Sequence, residues 1–158
     1  MTRDVLLRIL DEAYDKRSWH GTNLRGSIRG LGPAAAAWRP GRNRHNIWEL
    51  VVHAAYWKYA VRRRLLGEKR GSFPLEGTNF WVRPVKGVSA ETQWRQDLRL
   101  LSDMHKALRQ TVLELSEPRL SRRAPRSRFD NLSLVTGIAA HDLYHAGQIQ
   151  LLKRLRPR

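Results

Sequence analysis

The feature that most constrains this chain is a long amphipathic segment near its end, residues 131–156. Its apolar stripe recurs at the spacing of one helix face and contains Leu134, Ile138, His141, His145, Ile149 and Leu152. His141 and His145 are one helical turn apart within this stripe, so both imidazoles point the same way. A buried imidazole needs a partner for each nitrogen, or a metal ion. The pattern alone leaves open two core histidines bonded to their neighbours or two ligands of one ion.

Three further segments show helical spacing of apolar residues: 2–16, 46–66 and 89–117. In the first of them the predicted core side is formed by Val5, Leu6, Ile9 and Ala13. Strand-like alternation with hairpin turns is absent from the sequence. Four long amphipathic helices predict an all-α four-helix bundle, built as a single domain over residues 1–158.

Two irregular stretches, residues 17–44 and 67–88, connect these helices. Their Pro and Gly content argues against continuous helix, although short helical turns fit residues 23–29 and 33–37. The second stretch is long enough to run back along a helix, so the helices that it joins can be parallel. Four aromatic residues are expected to anchor the two stretches to the core: Trp19, Trp38, Phe73 and Trp81.

The second helix supplies a third histidine. Asn46 is a natural N-cap with Glu49 three residues later, and Gly67 fits the left-handed position that ends a helix. His53 lies at the edge of the apolar stripe of this helix, where it can face a neighbouring helix or a cleft. Three neutral imidazoles leave a fourth coordination position open, as in catalytic rather than structural zinc sites. The spacing therefore predicts a metal site of His53, His141 and His145.

The chain contains no cysteine. This excludes disulfides, thiolate ligands and a thiol nucleophile carried by the protein, so any sulfur chemistry needs a small-molecule thiol. No apolar run approaches the length of a membrane span, and the first residues lack the apolar core of a signal peptide. We therefore expect a cytoplasmic protein with no membrane partner.

The net charge of +16, from 30 Lys and Arg against 14 Asp and Glu, makes nucleic acid a conceivable partner. The basic residues occur in short groups that are scattered along the chain rather than in one stripe. This distribution favours weak, salt-sensitive adhesion to polyanions over a dedicated binding surface. A non-enzymatic basic nucleic-acid-binding protein nevertheless stays open as an alternative.

The two histidine motifs resemble those of a known family. The segment from Ile47 to Trp57 around His53, together with His141-x-x-x-His145-x-x-Gln148-Ile149, is similar to the DinB/YfiT-like family of metal-dependent four-helix-bundle proteins, which is unrelated to the DNA polymerase of similar name. The Trp19-His20-Gly21 segment and Trp81 also resemble that family.

The resemblance implies an up-down-down-up bundle, often a homodimer, with His53, His141 and His145 as ligands of zinc, or of nickel or manganese. It also places Gln148 and His20 next to the ligands or in the cleft. His105, in the apolar stripe of the third helix, is a further candidate for lining the cleft or for supporting the ligands, and its alternative is a core histidine. Beyond the metal ligands, no catalytic residue is predicted.

Several characterised relatives are thiol-dependent transferases or isomerases that use bacillithiol, mycothiol or glutathione. The resemblance therefore favours an enzyme that activates a low-molecular-weight thiol and transfers its sulfur to an electrophilic small-molecule substrate. A hydrolase that uses metal hydroxide at the same site is the alternative, because both reactions need only three histidines and an open position.

Overall fold

The computed structural model describes residues 2–123 and 127–157, and these contain helices and no strand. In chain order the helices are α1 (Thr2–Tyr14), α2 (Leu24–Ile28), α3 (Pro33–Ala37), α4 (Ile47–Leu66), α5 (Ala90–Glu114), α6 (Glu117–Leu120) and α7 (Asn131–Leu155). The four long ones are α1, α4, α5 and α7, as the sequence predicts. Within the described ranges, no helix has the length and apolar character needed to cross a membrane.

Helices α4 and α5 run parallel, because their first turns lie together. The Trp48 and Trp94 rings are 5.1 Å apart, and the Trp48 indole donates a hydrogen bond of 2.7 Å to Asp97. Helix α1 runs antiparallel to α5, because the start of α1 lies at the end of α5 and the end of α1 lies further back along it. The Arg3 backbone N–H donates to Glu117, just beyond α5, whereas the Tyr14 ring stacks on His105.

Helix α7 runs antiparallel to α4. His53 in the first half of α4 meets His145 late in α7, whereas Val61 and Leu65 near the end of α4 share a core cluster with Leu134 at the start of α7. The order of the four long helices is therefore up-down-down-up, which confirms the predicted bundle.

Helix α4 begins and ends as its sequence predicts. The Asn46 side chain accepts a hydrogen bond of 2.8 Å from the Glu49 backbone N–H, and Gly67 has a φ of 73° in the left-handed region. The Asn46 amide also donates to the Arg83 carbonyl at 2.8 Å. The cap thus ties the long α4–α5 connection to the start of the central helix.

Three expectations about packing need correction. Trp19 is 100 % exposed and anchors nothing. Val5 is 54 % exposed and Ile9 is also on the surface, because α1 is rotated so that Leu7 and Leu10 face the core. In the second connection the aromatic anchors are in place: the Phe73 and Trp81 rings each lie 5.3 Å from the Tyr56 ring.

A completely buried ion pair joins α4 to α7. The Lys58 ammonium donates to one carboxylate oxygen of Asp142, and both side chains are 0 % exposed. Lys58 also lies 5.0 Å from the centre of the Tyr14 ring, so the pair is in contact with α1. Burial raises the pKa of Asp142, and Lys58 acts against that increase. Because Asp142 follows His141, this pair fixes the register of α7 at the level of the histidines.

We expect Asp142→Ala to lower the free energy of unfolding by about 3–5 kcal/mol, because it leaves the Lys58 ammonium buried without a counter-charge. The double variant Lys58→Met/Asp142→Leu removes both charges and should be much closer to wild type. Urea unfolding measures both. Arg8→Ala, which breaks the exposed Arg8–Glu12 pair, is the control and should change little. An Asp142→Ala protein as stable as the Arg8→Ala control would contradict this role.

Candidate metal centre

Three imidazoles from two antiparallel helices meet at one point. The His141 Nε2 atom lies 3.1 Å from His53 Nε2 and 3.1 Å from His145 Nε2. One nitrogen from each ring lies within 4.8 Å of the others. Nitrogens that bind one tetrahedral zinc ion at about 2.0–2.1 Å are roughly 3.3 Å apart. The three histidines can therefore hold a divalent metal ion.

Hydrogen bonds at the far side of two rings decide which nitrogens carry protons. The His53 Nδ1 atom is 2.7 Å from the Asn79 carbonyl oxygen, and His145 Nδ1 is 2.6 Å from the Gln148 amide oxygen. An oxygen of this kind only accepts, so both Nδ1 atoms carry the proton and both Nε2 atoms present lone pairs. His141 can donate to one of these lone pairs and not to both. A cation between the three rings can be bound by all three Nε2 atoms, whereas hydrogen bonds among the rings cannot satisfy all of them.

The surroundings keep these imidazoles neutral, which is the form that binds metal. Burial lowers the pKa of His53 to about 4 and that of His141 to about 3, with further lowering by the neighbouring histidines. Burial also lowers the pKa of His145, against the opposing effect of Gln148. His141 Nδ1 is buried and has no hydrogen-bond partner among the described residues.

The α4–α5 connection holds the His53 ring in place. Asn79 has a φ of 72°, a left-handed conformation that Asn tolerates better than most residues. Its side-chain oxygen accepts a hydrogen bond of 3.0 Å from the Trp57 indole, while its carbonyl accepts from His53. Asn79 therefore orients a ligand from outside the metal's own shell, as such partners do in metal sites.

The three histidines lie in the wall of a cavity of about 510 Å³. The cavity is lined by Pro40, Arg44, His45, Leu50, His53, Phe80, His141, Tyr144, His145, Gln148, Leu151 and Leu152. One wall is a stack of three rings, in which Phe80 lies between His45 at 3.8 Å and His53 at 4.0 Å. The lining is mostly apolar, with the polar groups concentrated near the histidines and at the rim.

A buried carboxylate orients His45 in this wall. The Glu49 side chain accepts from His45 Nδ1 at 2.9 Å, from both terminal nitrogens of Arg39 and from the Arg83 backbone N–H. Burial alone would raise the pKa of Glu49, but Arg39 and His45 together hold it below its usual value. With Nδ1–H donated to the carboxylate, the His45 Nε2 atom presents a lone pair.

Comparison with known proteins identifies the family. Residues 16–149 match the family model of the DinB superfamily. The chain belongs to the DinB superfamily. No similarity to a curated protein or to a solved structure was found. The match covers both histidine motifs, so the three-histidine cluster of this DinB-superfamily chain fits a metal-binding member.

The structure brings only part of the predicted set together. His53, His141, His145 and Gln148 converge, whereas His20 is an exposed loop residue that contacts Ser18 and lines no part of the cavity. Two residues of the cavity wall, His45 and Phe80, are not among the residues that the sequence predicts. The spacing His45-x-x-x-Glu49 was the available signal, since residues four apart at a helix start can bond each other.

His105 is a core residue of the bundle and does not line the cavity. Its ring stacks on Tyr14 at 3.7 Å, and it is 4 % exposed. Burial, then the charges of Lys58 and Arg109, lower the pKa of His105 to about 2. The core alternative is therefore correct for this histidine.

We expect wild-type protein to contain about one equivalent of divalent metal by mass spectrometry, because three lone pairs converge without a proton to separate them. His53→Ala, His141→Ala and His145→Ala should each lose most of it. His20→Ala is the matched control and should keep it. Wild-type protein that cannot be loaded with zinc, nickel or manganese would contradict the site.

His105 should make the protein less stable as the pH falls. Below pH 6.5 the unfolded chain takes up a proton at this position that the folded chain refuses down to about pH 2. The cost is about 1.4 kcal/mol per pH unit. His105→Phe, which keeps the stacking on Tyr14, should therefore gain stability relative to wild type by this slope between pH 6 and 4. Urea unfolding in a chelator measures it, with pH 8 as the baseline, and parallel pH profiles would refute the prediction.

Proposed function

We propose that this chain is a metal-dependent enzyme that joins a low-molecular-weight thiol, through its sulfur, to an electrophilic substrate. The observation that carries the proposal is the convergence of three Nε2 lone pairs at the wall of a solvent-accessible, mostly apolar cavity. Three protein ligands leave an open position for an exogenous ligand. A divalent cation held there supplies the Lewis acidity that lowers the pKa of a thiol or of water.

The apolar walls serve the electrophile. Leu50, Phe80 and Leu152 offer a surface on which the carbon skeleton of a substrate packs and from which water is excluded. In a transfer to an aryl or alkyl halide, the sulfur–carbon bond forms while the carbon–halogen bond breaks, and halide departs with the bonding electrons. The thiol gives up one proton in the process, so the site needs a base.

His45 is the residue best placed to accept that proton. His45 lines the cavity, and the bond from its Nδ1 to Glu49 leaves Nε2 to take up a proton, with Glu49 stabilising the imidazolium that forms. Arg39 and the Arg83 N–H fix the carboxylate, so the pair is pre-oriented before a substrate binds. The Phe80 ring separates His45 from the metal ligand His53, which keeps the base out of the ligand set.

The composition of the cavity lining and the greater acidity of thiols support a thiol over water. Among the described residues that line the cavity, none is Asp or Glu, whereas metal hydrolases typically place a carboxylate base beside the ion. An ordinary thiol has a pKa near 8.5 and bulk water about 15.7, so far less activation is needed for sulfur. The chain has no cysteine, and the sulfur would come from outside.

Arg44 at the rim suits an acidic thiol, because it is the one arginine among the described lining residues. The basic stretch 119–128 is another concentration of positive charge. Arg119 instead donates to the Leu65 carbonyl at the far end of α4. Residues 124–126 of that stretch lie outside the described residues.

Hydrolysis is the second candidate, and the His45–Glu49 pair favours it. A histidine backed by a buried carboxylate is the base that attack by water requires. The two reactions differ in whether turnover depends on added thiol.

The test is conjugation of chlorodinitrobenzene with glutathione, bacillithiol or mycothiol by zinc-, nickel- or manganese-loaded protein. We expect thiol-dependent formation of the thioether, its loss in His141→Ala, and a decrease of about 10²-fold or more in His45→Asn. His20→Ala should behave as wild type. Thiol-independent hydrolysis of a nitrophenyl ester would favour the second candidate, and inactivity with every thiol and metal would overturn the transferase.

A further inference from the structure

A second concave surface lies on the other side of His141. It is a groove of about 550 Å³ between α4 and α7, and its walls include Trp57, Val61, Phe129, Ile138 and His141. His141 is thus shared by this groove and the metal cavity. The predominance of apolar side chains shows that the groove can accept a carbon skeleton. Its polar lining residues decide which charged or polar group such a ligand can carry.

Among the described residues that line the groove, the charged one is Arg64. Its guanidinium lines the groove, half-buried, at 5.8 Å from the centre of the Trp57 ring. It forms no ion pair or side-chain hydrogen bond with another described residue, whereas Arg39, Arg83 and Arg109 each bind a carboxylate. Burial and the neighbouring Arg63 lower the pKa of Arg64. The groove therefore contains a partly desolvated cation that lacks an anion.

The remainder of the groove offers empty space and exposed apolar surface. Phe129 is 61 % exposed at its edge. A Cβ atom added to Gly137, in the floor contributed by α7, would meet nothing within 4 Å. Covering apolar surface of this kind is favourable because it removes that surface from water.

We propose that the groove binds a small amphipathic anion, whose carboxylate or sulfonate pairs with Arg64 and whose apolar body packs on Trp57, Phe129 and the surface at Gly137. A ligand there would lie against His141, beside the metal cavity. A second copy of this chain is a poorer occupant, because two molecules of net charge +16 repel each other and a symmetric contact would bring two Arg64 side chains together. The inference concerns binding and holds whether or not the proposed reaction is correct.

Fluorescence titration with two probes tests the proposal. Anilinonaphthalene sulfonate carries an anion on an aromatic body, and phenylnaphthylamine has a similar body without the charge. We expect Arg64→Gln to weaken the sulfonate by about tenfold and to leave the neutral probe unchanged. Arg70→Gln, a nearby exposed charge outside the groove, is the control for net charge.

Gly137→Leu fills the groove and should weaken both probes. Gly147→Leu is the matched control, because Gly147 is also on α7, has open space at its Cβ and lines no part of the groove. Equal losses in Arg64→Gln and Arg70→Gln would reveal non-specific attraction and overturn the proposal, as would unchanged binding by Gly137→Leu. A wild-type dimer that Gly137→Leu converts to monomer would assign the groove to a second copy and overturn it too. Thermal unfolding verifies that each variant is folded.

Discussion

The buried contact between Lys58 and Asp142 is the constraint on which the site depends. Placing two charges in a helix interface costs more than an apolar pair of equal size, so its value lies in specificity rather than in stability. A register shift of α7 against α4 would leave both charges unpaired at once. The same shift would separate His53 from His141 and His145, because Asp142 is next to one ligand and Lys58 is about one and a half turns beyond another. The ion pair thereby excludes the packings that would break the site.

The long α4–α5 connection completes what the helices begin. Through Asn79 it sets the tautomer of His53, and through Phe80 it forms the wall that separates His53 from His45. Its own position is fixed at the α4 N-terminus, where Arg83 reaches the carboxylate of Asp97 and its carbonyl receives the Asn46 amide. A loop of this length would leave a ligand poorly oriented if it were free. Because the connection is bonded both to His53 and to residues near the start of α4, it acts as part of the rigid scaffold.

Much of the fold was available from the sequence, because helical periodicity, caps and breakers are local properties. The helix bounds of α4 and α7 and the convergence of three histidines follow from spacing and resemblance. What failed depends on tertiary rotation: Val5 and Leu7 are equally apolar, and only the packed bundle shows that α1 turns Leu7 inward. A lysine at position 58 gives no local sign that it is 0 % exposed, since its partner is far away in the chain. The same holds for His45, whose place in the cavity wall depends on its contact with Phe80, and for His105, whose place in the core depends on its contact with Tyr14.

Part of the basic composition has a structural role. Arg39 and Arg83 hold the carboxylates that orient His45 and the connecting loop, and Arg109 ties α1 to α5. These arginines pair with carboxylates inside the fold. The net charge by itself therefore does not indicate a binding site for an external polyanion. Arg44 and Arg64 differ from them, since each lines a concave surface that reaches His141. Among the described residues, these two cations rather than the net charge as a whole are therefore the places where an external anion can pair with the fold close to the histidines.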